Sequence, residues 1–391
     1  MDISTATKRE EAAHTLPVYP QLDFVPVSGD GSWLTDADGR RVLDMYGGHA
    51  VAALGYNHPA LLDAVDKQIR TLPFQSNIVA NPVRAKAAAL LTAFAGEPFS
   101  HAFFVNSGAE ANENALRIAF LQTGGKHVVA VEHGFHGRTA AASAVTWGAK
   151  EKWYGFPNAP FDVTFVKRNR CDAIASAFRE DTAAVIVEPV QGVAGAKDLC
   201  PTYLKKLAER AKQVGALFIA DEVQSGMGRS GLPFAISHSG VTPDIITAAK
   251  SLGGGVACGA VITTAEIAAQ RRFGDLGTTF GGGPVAAAAM TAVVETINKE
   301  GLVANAAARE AQVRESCVVG PIESVQGKGL LLGLRCKGPA RAVRDALLRK
   351  NILTGLSGDP NIVRLLPPLN LDPEDVAHLA DALADIPDGT C

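Results

Sequence analysis

No run of this sequence is long and apolar enough to span a bilayer. The longest apolar stretch, around Pro284 to Val294, is alanine-rich and reaches about half of the ~20 residues a spanning helix needs. Paired cysteines are missing as well. The six cysteines, at positions 171, 200, 258, 317, 336 and 391, form no Cys-x-x-Cys motif and read as scattered reduced thiols, not as a disulfide framework. The opening MDISTATKREEAAHT has charges but no apolar core, so no secretory signal is expected. Neither sign of charge dominates. Lys and Arg number 37 against 40 Asp and Glu, a net charge of −3, which gives no electrostatic reason to expect nucleic acid or an anionic membrane as partner. The pattern G-x-x-x-x-G-K-[ST] is absent, which weighs against nucleoside triphosphates. Internal repeats and low-complexity tracts are absent too. These absences lead to the expectation of a soluble, cytoplasmic protein with neither membrane nor nucleic acid among its partners.

What is present belongs to a folded enzyme-sized chain. Hydrophobic residues make up 47% and charged residues 20% of 391 residues, which excludes a disordered chain. The length suits two or three domains, or one large domain with a small one. Glycine occurs 39 times, often clustered, as at tight turns and where backbone approaches a ligand closely.

From about residue 100 to 265, short apolar runs alternate with helical patterns. Ala102 to Val105 ends at Asn106-Ser107-Gly108, and a helix pattern follows over Ala109 to Leu121. Further runs are His127 to Val131, Val163 to Val166, Ala184 to Val187, Leu217 to Ala220, Asp244 to Thr247 and Ala260 to Thr263, with a helical segment over Pro201 to Val214. Runs buried on both faces and separated by helices predict an α/β fold with a mostly parallel sheet covered on both sides. The last hundred residues predict a smaller α+β unit, beginning with one long helix pattern from Val285 to Leu302 and onward. An Asp-Gly turn within Gly31 to Leu43 predicts a hairpin.

Ligands of such sheets bind beyond the carboxyl ends of the strands, so those ends are where chemistry is sought. Leu217 to Ala220 runs into Asp221-Glu222. Asp244 to Ala249 runs into Lys250, followed by Ser251-Leu252-Gly253-Gly254-Gly255. A desolvated lysine has a lowered pKa and can condense with an aldehyde. An aspartate at a neighbouring strand end can hold a pyridine nitrogen protonated. Together they are what pyridoxal phosphate requires of a protein. Taken singly, Asp221 is equally a helix cap and Lys250 a residue reaching solvent. Asn106-Ser107-Gly108-Ala109 offers a phosphate cradle at a helix N-terminus, or simply an N-cap by Ser107. In Glu132-His133-Gly134-Phe135-His136-Gly137-Arg138, Phe135 suits stacking on a flat ring and Arg138 a substrate carboxylate. His133 and His136 lack further ligands at metal-site spacing, so no metal is expected.

These segments occur in an order that resembles the class III, fold-type I pyridoxal-phosphate aminotransferases, nearest the acetylornithine and ornithine branch. The likeness rests on NSGAEANEN (106–114), FHGR (135–138), EPVQG (188–192), DEVQSGMGRSG (221–231), AAKSLGGG (248–255) and GTTFGGGP (277–284), and spans roughly residues 17 to 375. It implies a segment 1–45 that joins the small domain, a large cofactor-binding domain over 46–295 and a C-terminal small domain over 296–391. It implies Lys250 as the Schiff-base lysine and Asp221 as partner of the pyridine nitrogen. Val223 would lie beneath the ring and Gln224 near its phenolic oxygen, with Phe135 stacking and Glu188 among the cofactor's surroundings. Ser107, Gly108 and Ala109 would hold the phosphate, joined by Thr279 from the neighbouring subunit of a homodimer with shared active sites. Arg364 would grip an α-carboxylate and Arg138 the distal carboxylate of 2-oxoglutarate or glutamate. The implied reaction transfers the terminal amine of an ω-amino acid, foremost N-acetylornithine, to 2-oxoglutarate, as in arginine biosynthesis.

The sequence also departs from that family. Many relatives carry a glutamate after EPVQG that pairs with the C-terminal arginine; here Val193 stands there and cannot neutralise Arg364. Leu276 and Gly283 replace a frequent His and Asn. His49 occupies a place where relatives put Ile or Tyr near the substrate, so a titratable ring is expected at the substrate unless it is merely structural. Ornithine, N-succinylornithine, 4-aminobutyrate or a plain α-amino acid are therefore alternative donors. A decarboxylase or aminomutase on the same scaffold is a rival reaction class, since fold does not fix chemistry. A non-catalytic binding protein is a third reading, opposed by the joint presence of Lys250, Asp221 and the phosphate turn.

Overall fold

The computed structural model describes residues 3–387, so Cys391 lies outside the described residues. Seven strands form the central sheet, in the order Phe99–Val105, Gly259–Thr264, Ile245–Ala248, Leu217–Asp221, Thr182–Val187, His127–Val131 and Asp162–Val166. Neighbours from Ile245–Ala248 to Asp162–Val166 run parallel, while Gly259–Thr264 is antiparallel to both strands beside it. The expected mostly parallel sheet is thus present. Every residue of His127–Val131, Thr182–Val187 and Ile245–Ala248 is buried, which is why these strands read as continuous apolar runs. His127 is the polar member of its strand. Its ring bonds the hydroxyls of Thr182 at 2.9 Å and Thr164 at 2.8 Å, as a buried polar group requires.

Helices cover both faces. The helix Gly108–Thr123 starts where Ser107 Oγ accepts from the Glu110 N–H at 3.2 Å, and it stops at Gly124 in a left-handed conformation. Its buried side, with Ala111, Ala115, Leu116, Ile118 and Ala119, packs on the sheet in a cluster with Val128, Ala130, Ile186 and Ile219. On the opposite face the helix Pro201–Val214 buries Tyr203, Leu204, Leu207 and Ala211. The segment expected to be one long helix is two. Pro284–Lys299 ends before Gly301, whose φ is +64°, and Leu302–Ser316 begins after it. The apolar periodicity continues across the break, so only the glycine marks it.

Two smaller sheets join the ends of the chain. The hairpin strands Trp33–Asp36 and Arg41–Asp44 flank the Asp38-Gly39 turn, and Asp36 Oδ1 accepts from the N–H groups of Asp38 and Arg40 inside it. Strand Pro26–Asp30 pairs on one side and Ile352–Leu353 pairs in parallel on the other. The second sheet, antiparallel, orders Ile322–Lys328, Leu331–Cys336, Ile362–Leu365 and Gly355–Leu356. Trp33 Nε1 donates to Asp375 Oδ1 at 3.0 Å, tying the hairpin to the helix Pro373–Ala384. Among the described residues no helix is long and apolar enough to cross a membrane.

Gly301 gives a direct test of the helix break. A Cβ there meets nothing within 4 Å, so the cost of alanine is conformational alone. Gly301→Ala is expected to lower stability by about 1 kcal/mol, read as a lower urea midpoint with an unchanged slope, and Gly301→Asn to lose less.

Candidate active site

The parallel strands of the large sheet deliver their carboxyl ends to one cavity of about 560 Å³. Asp221 is the last residue of its strand, Lys250 follows Ile245–Ala248, and Glu188 follows Thr182–Val187. Phe135 and Arg138 follow His127–Val131, and Ser107 to Ala109 follow Phe99–Val105. All of these line the cavity, together with Val223, Gln224 and Val193. Three expected site residues stand apart. Thr279 is exposed on this protomer, and Arg364 and His49 lie outside the cavity lining. Both are still close enough for their charges to act on Lys250 or be acted on by it.

Asp221 is the most elaborately held group. It is buried, and its Oδ2 accepts from Asn112 Nδ2 and from His136 Nδ1, each at 2.7 Å. Oδ1 accepts from the Val223 N–H at 3.0 Å. Asn112 is fixed in turn, donating also to the His136 carbonyl and accepting from Thr247 Oγ1 at 2.7 Å. Three donors to its two oxygens give this buried side chain the hydrogen bonds that burial demands. The His136–Asp221 pair escaped sequence reading, which took His136 only as a possible metal ligand. The signal available was a histidine inside a motif that begins at a strand end.

Lys250 has a left-handed backbone, with φ +47°, unusual for a residue with a side chain. The strand before it and the turn Lys250–Gly253 after it impose that conformation, and Ser251 Oγ anchors the turn by donating to the Ala50 carbonyl at 2.7 Å. Loss of hydration pushes the amine below the ordinary lysine value, and Asp221 and Glu188 oppose that shift while Arg364 adds to it. Glu188 accepts from the Phe135 N–H at 2.8 Å and the Gly192 N–H at 3.2 Å. Burial, then the nearby Asp221 charge, raise its pKa. Glu222, next in sequence to Asp221, points elsewhere and bonds Ser225 Oγ and the Ile236 N–H, each at 2.6 Å.

The residues fit pyridoxal phosphate. Two buried polar atoms facing this region, Gln224 Oε1 and His136 Nε2, have no partner among the described residues. The N–H groups of Gly108 and Ala109, at the start of their helix, have no acceptor within it and line the same cavity as Lys250. A Cβ on Gly108 would sit 2.5 Å from Val223 Cγ1, so only glycine lets the helix start close to Val223. An aromatic side chain, an acid, a phosphate-sized cradle and a desolvated amine thus share one enclosure.

Arg364 is buried without a carboxylate partner among the described residues. Its Nε donates to the Leu356 carbonyl at 2.8 Å, Nη1 to the Gly192 carbonyl at 3.3 Å and Nη2 to Tyr46 Oη at 2.7 Å. Tyr46 Oη also bonds His49 Nδ1 at 2.8 Å. Since the phenol accepts from Arg364, its own proton goes to His49, whose Nδ1 is then unprotonated. Loss of hydration, followed by the cations Arg364 and Lys250, pushes His49 down to about 4, a shift softened by the exposed edge of the ring. A Cβ on Gly355, the strand partner of Arg364, would lie 1.8 Å from Tyr46 Cε2. Sequence reading missed Tyr46, because nothing in a lone tyrosine after a strand announces a partner more than three hundred residues away. It missed Tyr19 too, which lines the cavity from the N-terminal segment.

The family model described as Aminotransferase class-III matches residues 17–386. An acetylornithine aminotransferase of Streptomyces coelicolor is 44% identical over 375 residues, covering 94% of this chain and 92% of that protein. An acetylornithine/succinyldiaminopimelate aminotransferase of Yersinia pestis is 37% identical, covering 95% of each. The solved ornithine aminotransferase of Toxoplasma gondii, in which pyridoxal phosphate partly occupies the active site, superposes with a TM-score of 0.90 at 25% identity, covering 99% of this chain and 96% of that one.

The Tyr46 bridge makes a measurable prediction. A hydroxyl donating to Nδ1 favours the neutral imidazole, so without it the ring takes up its proton at higher pH. Tyr46→Phe is expected to raise the His49 titration midpoint, followed by NMR of the imidazole protons. An unchanged midpoint would remove the bridge from the account.

Proposed function

The chain belongs to the class-III aminotransferase family, whose members depend on pyridoxal phosphate, and from this premise we propose that it moves the terminal amine of an ω-amino acid, foremost N-acetylornithine, to 2-oxoglutarate. The observation that carries the reading is the convergence of Lys250, Asp221 and the first turn of the Gly108–Thr123 helix on one cavity. When bound, the cofactor supplies an electron-withdrawing ring that acidifies the C–H beside the donor's amine. Lys250 Nζ would hold the cofactor at rest and, once free, would serve as the base that takes the proton from the donor's carbon. Asp221, fixed by Asn112, His136 and the Val223 N–H, keeps the pyridine nitrogen protonated. Gln224, whose Oε1 has no partner among the described residues, would lie near the phenolic oxygen. Phe135 and Val223 bracket the ring, with Glu188 among its surroundings. Ser107, Gly108 and Ala109 receive the phosphate, because first-turn N–H groups and the helix dipole favour an anion.

Two arginines divide the carboxylates. Arg138 takes the carboxylate far from the reacting amine, and Arg364 the α-carboxylate of glutamate or 2-oxoglutarate. His49, hydrogen-bonded through Tyr46 to Arg364, borders the substrate. The neutral surroundings of Arg364 favour one second reading, a donor that reacts through its α-amine. With Val193 in place of an acid, no carboxylate among the described residues forms an ion pair with the guanidinium.

The enzyme works as a homodimer in this reading. Thr279 is exposed, and beside it Ile78 is 88% and Phe280 65% exposed. Asn77 Nδ2 ties the two segments by donating to the carbonyls of Thr278 at 3.3 Å and Gly281 at 3.1 Å. Burial of these apolar groups against a second copy would bring Thr279 to the partner's phosphate.

Lys250→Ala is expected to abolish both half-reactions while the protein stays folded, and borohydride reduction of the wild-type holoenzyme to fix the cofactor on the peptide that contains Lys250. A label on another residue overturns the assignment. A donor panel of N-acetylornithine, ornithine, N-succinylornithine, 4-aminobutyrate and α-amino acids with 2-oxoglutarate tests the donor class. Carbon dioxide release, or turnover without an acceptor, would instead indicate a decarboxylase or mutase.

A further inference from the structure

Arg229 is the largest fully buried side chain among the described residues, yet it does not line the cleft. Loss of hydration alone pushes its pKa down to about 9, since no charged side chain among the described residues acts on it. A buried cation without a counter-charge is costly, so the groups that it does hold carry the meaning. Two carbonyls accept from one nitrogen: Arg229 Nη1 donates to the Leu330 carbonyl at 3.1 Å and to the Pro367 carbonyl at 2.6 Å. Both carbonyls sit at the same end of a strand pair. Leu330 precedes Leu331–Cys336, and Pro367 closely follows Ile362–Leu365. Within that pair Gly333 lies opposite Arg364. The main chain adds a third bond, from the Leu330 N–H to the Arg229 carbonyl at 2.7 Å. Gly329 lets the two chains meet, because its φ is +55° and a Cβ there would lie 2.2 Å from the Arg229 carbonyl oxygen.

On its other side Arg229 belongs to the loop that leaves Asp221. That loop carries Val223 and Gln224 into the cleft. It is closed on itself, with the Gly226 N–H on the Glu222 carbonyl at 3.0 Å and the Arg229 N–H on the Gly226 carbonyl at 3.3 Å. A short loop folded in this way transmits a displacement instead of absorbing it. Arg229 is therefore a stiff joint between the wall of the cofactor cleft and the strand pair that presents Arg364. The bonds of Arg364 itself go to Leu356, Gly192 and Tyr46. They orient its guanidinium but join none of the residues of the loop after Asp221.

We propose that Arg229 is a positioning residue for the α-carboxylate subsite: by clamping the strand pair of Arg364 to the loop of Val223 and Gln224, it sets how far from the cofactor ring an α-carboxylate is held. The inference rests on the proposed role of Arg364 and adds the residue that places it. A charge-assisted bond to two carbonyls is stronger than a neutral one, which suits a joint that must keep its geometry while substrates come and go. A small misplacement of a binding group costs rate steeply, because the reacting atoms then leave their productive alignment.

Half-reactions of the holoenzyme test it. Conversion of the bound cofactor to its amine form is followed by absorbance with L-glutamate and with n-pentylamine, which carries no carboxylate. The quantity read is the ratio of the two second-order rate constants, because cofactor loss or partial unfolding lowers both alike. Arg364→Met is the reference and is expected to collapse the ratio. Arg229→Met is expected to lower it about tenfold, chiefly through a higher half-saturating concentration of glutamate. Arg229→Lys, which keeps a donor and a charge, is expected to lower it less. Gly329→Ala presses on the same joint from the opposite chain and is expected to lower it too. A ratio that falls in Arg364→Met yet keeps its wild-type value in Arg229→Met overturns the inference. Where Arg229→Met cannot be purified as holoenzyme, wild-type ratios in Arg229→Lys and Gly329→Ala overturn it by the same criterion. A ratio unmoved by Arg364→Met overturns the assignment of Arg364 beneath it.

Discussion

The structure turns on a single buried carboxylate. Asp221 sits buried at the carboxyl end of a central strand, and three donors from three different segments close on it. Asn112 comes from the first helix after the sheet begins, His136 from the loop two strands away, and the Val223 N–H from the chain's own continuation. Each donor is itself restrained, Asn112 by Thr247 and the His136 backbone, and the His136 N–H by Thr146 Oγ1 at 2.9 Å. A buried charge is tolerated only when it is matched in this way. The same matching fixes the relative positions of four strand ends, which makes the requirement of one ion an organising constraint for the cleft.

Around that anion the charges are sorted by distance. Burial and then the nearby Asp221 charge raise the pKa of Glu188. Lys250 is driven toward its neutral, nucleophilic form by loss of hydration. The guanidinium groups lie further out, Arg364 behind a phenol and two carbonyls and Arg138 against an indole. Neutral partners leave both cations available to anionic ligands, whereas an ion pair would have to be broken first.

Much of this was legible in the sequence because it follows from burial. Strands such as Thr182–Val187, apolar at every position from Ala183 on, declare that both faces are covered, and their ends then declare where polar residues converge. Lys250 and Asp221 were found by that logic. Which of Asp221 and Glu222 faces the cleft was decided by motif resemblance and not by physics, since a period of two places neighbours on opposite faces without saying which face holds the ligand. The helix break at Gly301 was hidden by continuous apolar spacing. Tyr46, His136 and Tyr19 stayed silent for a different reason: their importance comes from partners distant in sequence, and a single sequence holds no record of such pairings.

The hairpin near the amino end completes its sheet with Ile352–Leu353, and Trp33 is bonded to Asp375, 342 residues away. During synthesis, the first strands must therefore leave the ribosome and wait until almost the whole polypeptide has followed before they find their neighbours. Contacts of such separation are slow to form and leave strand edges open in the meantime. The edge of Arg41–Asp44, open until Ile352–Leu353 arrives, is thus a stretch that chaperones would be called on to shield in the nascent chain.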